Sequence, residues 1–152
     1  MLIDKQNMFS NAQAITATAN STDKVDLQGG TPAFTTDTLG NTVPRDPGKS
    51  PELEIVAQVV EAFSGGTSVA VSVVADDDPA LGSPTTLHST PAIAVATLKA
   101  GYQFRIALPA GIASADRYLG LVYTVVGTPS AGKISAWLAP PMGKQTAPGT
   151  ML

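Results

Sequence analysis

Apolar side chains in this chain recur at every second position, in short stretches closed by Gly, Pro or Asp, while helical spacing is scarce. A period of two lines alternate side chains along one face of a pleated strand. From Glu52 onward, Leu53, Ile55, Ala57 and Val59 face one way and Glu54, Val56, Gln58 and Val60 the other, until Ser64-Gly65-Gly66 marks a turn. The next stretch sets Val69, Val71 and Val73 against Ala70, Ser72 and Val74 and stops at Asp76-Asp77-Asp78-Pro79. Its density of β-branched residues favours strand over helix.

The same reading predicts strands over Ala92–Leu98 and Tyr102–Leu108, joined as a hairpin through Lys99-Ala100-Gly101. A second hairpin is predicted from Arg117–Val126 and Lys133–Ala139 across a Gly- and Pro-containing connection. Ala14–Ala19 and Lys24–Leu27 bring the total to about eight short strands, the spacing of an all-β sandwich or barrel. We expect a two-sheet β-sandwich of antiparallel strands spanning residues 1–139 as a single domain. Residues 28–51 have almost no periodic apolar pattern and hold Gly29, Gly30, Pro32, Gly40, Pro44, Pro47, Gly48 and Pro51, so they form a loop excursion. Residues 140–152 read as a Pro-rich surface tail, because proline has no N–H to give to a ladder.

Composition narrows the classes of partner. The 152 residues fit one domain, and only 14% are charged, against roughly 25% in an average globular chain. With 9 Lys and Arg against 12 Asp and Glu, the net charge of −3 leaves no electrostatic footprint for nucleic acid or an anionic membrane. The chain has no cysteine, which excludes disulfides, thiolate nucleophiles and thiolate metal sites. Its apolar stretches fall far short of a spanning helix, and the N-terminus lacks the pattern of a secretory signal, so no membrane partner is expected.

Four local patterns carry possible chemistry. Gly127-Thr128-Pro129-Ser130-Ala131-Gly132-Lys133 matches the first seven positions of a phosphate-cradling loop, but Ile134 stands where Ser or Thr must reach magnesium, and the following residues alternate as a strand. Asp76, Asp77 and Asp78 cluster carboxylates, yet Leu81 and Leu87 occupy the positions where a calcium loop needs Gly and a bidentate Glu, so a turn at a strand end is the preferred reading. His88 is the sole imidazole, and no Gly-x-Ser-x-Gly elbow accompanies it. Trp137 and Tyr118 form the thin candidate for a sugar-stacking platform. A carbohydrate-binding module and a small hydrolase built on His88 are thus the readings from other classes, and we expect no enzyme, no cofactor and no metal.

Several blocks of sequence resemble one family. Met1-Leu2-Ile3-Asp4-Lys5-Gln6-Asn7-Met8-Phe9-Ser10 with Ala12-Gln13-Ala14-Ile15-Thr16 is similar to the opening of the Bbp16-type capsid cement proteins of tailed bacteriophages. The same holds for Leu53 through Phe63, Leu98-Lys99-Ala100-Gly101-Tyr102, Leu108-Pro109, Arg117-Tyr118-Leu119 with Tyr123, and Gly132-Lys133. The resemblance covers most of the chain from Met1 to Leu138, and it departs from the family pattern in the longer 28–51 excursion and the Pro-rich tail. It implies a jelly-roll sandwich on the outside of an icosahedral head, in the virion, clamping neighbouring major capsid protein subunits without catalysis. It also implies a homo-oligomer, a dimer or a trimer. On this expectation the N-terminal contact segment (1–12) with Leu2, Ile3, Met8 and Phe9, the 28–51 loop with Phe34 and Arg45, and Trp137 supply the contacts between subunits or with the capsid.

Overall fold

A computed structural model of the chain describes residues 4–27, 39–40, 52–110 and 116–140. These residues form a two-sheet all-β sandwich, as the alternation predicts. Its ten strands are β1 (Met8–Ala14), β2 (Ala19–Asn20), β3 (Val25–Asp26), β4 (Glu54–Gly65), β5 (Ser68–Asp76), β6 (Thr85–Ser89), β7 (Ile93–Ala94), β8 (Gln103–Ala107), β9 (Tyr118–Val126) and β10 (Pro129–Ala139). One sheet runs β1-β10-β4-β8, and the other runs β2-β9-β5-β6, with β3 also on β9 and β7 also on β5. All the pairings are antiparallel.

The inward faces follow the predicted alternation where it is strongest. Ile55, Ala57 and Val59 of β4 meet Val69, Val71 and Val73 of β5 in one core with Leu119, Leu121 and Tyr123 of β9. That core excludes water from both sheets, which is the main favourable term holding such a sandwich.

Three local predictions are corrected. Neither expected hairpin forms: β8 pairs with β4 rather than with the segment before it, and β9 and β10 lie in different sheets. The predicted strand over Ala92–Leu98 shrinks to β7, because Val95–Thr97 coils into a single 3₁₀ turn. The predicted strand Ala14–Ala19 sits too late in the chain, since the paired segment is β1 and only Ala19 and Asn20 rejoin a sheet. The physical reason is common to the hairpin errors. Glycine and polar residues are needed equally by a turn within a sheet and by an arch between two sheets, so local sequence does not separate them.

The arches themselves need glycine. The β4–β5 and β9–β10 connections lie side by side at one end of the sandwich, where Thr67 N–H donates to the Val126 carbonyl at 2.8 Å. A Cβ on Gly127 would stand 2.8 Å from the Gly66 Cα, and both residues have positive φ, +84° and +74°. Only glycine fits such an approach in that conformation. This close packing, and not a phosphate, accounts for the Gly127–Lys133 pattern; Lys133 pairs instead with Glu61 of β4 at 2.6 Å.

Candidate contact surface

β1 decides which expected contact residues point outward. A register shift sets Phe9 and Ser10 together opposite Ala136, while Met8 stays opposite Trp137. Phe9 and Ser10 are therefore both buried, and Met8 alone of the described N-terminal apolar residues lies on the outer face. The expectation of Phe9 as an interface residue is corrected: its ring is core, and exposing it would open the sandwich. Leu2, Ile3, Phe34 and Arg45 lie outside the described residues.

Buried Ser10 joins the two sheets. Its Oγ donates to Gln13 Oε1 at 2.8 Å and so accepts the Tyr123 hydroxyl at 2.7 Å across the core. Gln13 Oε1 also accepts from Thr22 N–H, and Gln13 Nε2 donates to the Asn20 carbonyl. Burial, against this hydrogen bond to Ser10, pushes the Tyr123 phenol well above its ordinary pKa, so it stays a neutral donor. This network was invisible in the sequence because it links residues 113 positions apart.

The outer face of the four-stranded sheet carries an apolar row. Met8, Trp137, Val56 and Arg105 stand abreast on β1, β10, β4 and β8, with Ala139 beside them. Val56, Trp137 and Ala139 form a small buried cluster separate from the main core. Arg105 closes the row by pairing with Glu54 at 3.0 Å. Trp137 is only 9% exposed, and its indole N–H is buried without a hydrogen-bond partner. It is not a sugar platform with Tyr118, which lies on β9 of the other sheet under the Arg117 guanidinium, 4.9 Å from its ring centre.

The outer face of the six-stranded sheet differs in chemistry. Toward the β4–β5 arch its rows are Val126, Ser68 and Ala94; Thr124 and Ala70; and Val122, Ser72 and Ser89, while Asp76, Tyr118 and Asp26 stand at the other end. The residues of the three rows are partly or fully exposed, Val126 by 53%, and none is charged. Ser72 and Ser89 satisfy each other's hydroxyls at 2.9 Å. Such a surface loses little when water leaves it, because no ion has to be desolvated.

The remaining candidates have structural roles. Asp76 accepts Asp78 N–H at 3.1 Å and Ser83 N–H at 3.0 Å, and these bonds hold its carboxyl below the usual range. The loop they close turns Leu81 back over Gly120, where a Cβ would strike the leucine at 2.4 Å. Among the described residues no group of three or more His, Asp or Glu side chains could hold a metal. His88 stands exposed on β6 opposite Val73, and among the described residues no carboxylate hydrogen-bonds it. Arg117 forks onto both oxygens of Asp26 at 3.1 and 2.9 Å, tying β3 to β9. Arg117-Tyr118-Leu119 thus combines an ion pair, a cation–π contact and a core leucine.

Fold and surface together define an all-β sandwich with two unlike outer faces. The Bbp16 family model matches residues 9–138, and the chain belongs to that family. Membership marks it as a phage-related protein. No curated protein matches the chain.

Proposed function

We propose that this chain is a structural component of the phage virion, a cement protein that binds the outside of the head and clamps neighbouring major capsid protein subunits. The observation that carries the reading is the Bbp16 family match across residues 9–138. The strand order β1-β10-β4-β8 over β2-β9-β5-β6 supports the jelly-roll winding expected of such a protein. We assign the capsid contact to the uncharged rows through Ser68, Ala70 and Ser72 on the outer face of β5, β6 and β9, and propose the N-terminal segment and the 28–51 loop as further contact segments. No catalytic step, cofactor or metal belongs to this role. Many copies on one shell gain from effective concentration, so each contact can be modest.

The test adds purified protein to undecorated heads and measures bound copies and resistance of the heads to heat or chelator. Binding with a rise in resistance is expected. Thr124→Glu, which puts a charge on the exposed outer face opposite Ala70, is expected to cut head affinity at least tenfold while leaving the melting temperature within a few degrees. Deleting residues 28–51 is expected to lower occupancy as well. Absence of binding by the wild-type protein refutes the reading; undiminished binding by Thr124→Glu refutes the assigned face.

A further inference from the structure

We propose that the β8 edge pairs with β8 of a second copy, antiparallel about a twofold axis, joining two four-stranded sheets into one continuous sheet. The inference rests on the geometry of this edge and is independent of head binding.

The backbone bonds between β4 and the start of β8 fix which groups of β8 turn outward. Val59 N–H donates to the Tyr102 carbonyl at 2.9 Å, and its carbonyl accepts from Gly101 N–H at 2.8 Å. Backbone direction alternates along a strand, so Ala57 and Ile55 also turn toward β8 and bond their partners Phe104 and Ile106. The N–H and C=O groups of Gln103, Arg105 and Ala107 consequently point away from β4. All three residues are exposed.

The other edges among the described residues are interrupted. β1 has two register shifts and a positive φ of +47° at Ala12, β2, β3 and β7 have two residues each, and β6 has a register shift against β5. Such breaks deter strand addition. β8 pairs with β4 over five consecutive residues without a shift, and its one charge, Arg105, is already matched by Glu54.

Self-complementarity selects a second copy as the occupant. An antiparallel pair centred on Arg105 would set two guanidiniums directly opposite, which is unfavourable. The register centred on Phe104 avoids this: Gln103 bonds opposite Arg105 of the partner subunit, and Phe104 lies opposite Phe104 of the partner subunit. That central position is the closely spaced, non-hydrogen-bonded kind, where aromatic pairs gain most. It also covers Tyr102, which is 36% exposed with its ring 6.1 Å from that of Phe104.

Sedimentation of the full-length chain at about 100 µM tests the proposal, with a mass of about twice 15.5 kDa expected. Gln103→Pro removes an edge N–H that the β4–β8 ladder does not use, so the variant should fold and sediment as a monomer. Gln103→Arg leaves the backbone intact, sets like charges opposite across the axis, and should weaken the dimer at least tenfold even if the proline variant fails to fold. Because the chain has no cysteine, Phe104→Cys introduces a single thiol, and mild oxidation should yield a disulfide-linked dimer. A monomeric wild type, a trimer, an undiminished dimer in Gln103→Arg, or a Phe104→Cys dimer that does not cross-link would each overturn the proposal.

Discussion

Trp137 illustrates how a side chain's neighbours decide its role. On sequence alone it is a large aromatic on the face opposite Leu138 and a natural contact residue. In the sandwich it sits on the central strand β10 between Met8 and Val56, with its N–H buried and unpartnered. An unpaired buried donor costs about 1–3 kcal/mol. Trp137→Phe removes that donor while keeping most of the ring, so we expect a stability within about 1 kcal/mol of wild type. Trp137→Ala should cost about 3–5 kcal/mol by cavity formation. Urea unfolding followed by circular dichroism checks both; a phenylalanine variant as unstable as the alanine one would mean the N–H is satisfied. Phe9 makes the complementary point. Alternation alone would separate it from Ser10, and only the bulge in β1 turns both inward.

Among elements, β4 and β5 were the most legible, because long alternating stretches rich in Val and Ile leave one amphipathic solution. Short elements were not. β7, β2 and β3 are two residues long, and their pairing is set by the neighbouring strand rather than by their own pattern. Asp76-Asp77-Asp78 forms the turn at a strand end that the sequence predicts, and the bonds from Asp78 and Ser83 to the Asp76 carboxyl give a pH prediction. The Asp76 carboxyl is held below its ordinary pKa in the folded state, chiefly by the Asp78 and then the Ser83 N–H. Its contribution is therefore complete above the unfolded value of about 3.9 and is lost as pH falls through the lower folded value. The melting temperature of wild type should drop below about pH 4 more steeply than that of Asp76→Asn, which has no such charge to lose. Parallel curves for the two proteins would refute this role.

At the scale of the molecule, strands adjacent in space are mostly distant in sequence: β1 with β10, β4 with β8 and β5 with β9. Each such pairing closes a long loop before it is rewarded, so refolding should take roughly milliseconds to seconds. Stopped-flow fluorescence of Trp137, the single tryptophan, measures this, and microsecond refolding would contradict it. The same winding places the charged pairs Arg105–Glu54 and Lys133–Glu61 outside one sheet and gathers Asp26, Arg117 and Asp76 at one end of the other, leaving the rows through Ser68, Ala70 and Ser72 without charge. The low charged fraction in the sequence thus becomes a localised surface property only in the fold.

By itself, the sequence determined the β class, the strongest strands, their buried faces and the family resemblance, since these depend on residue type and a period of two. The tertiary structure alone decided which strands became neighbours, that the expected hairpins are arches between sheets, and that among the described residues β8 pairs with β4 on one side only. These features arise from hydrogen bonds and packing between residues far apart in the chain, which no local window of sequence contains.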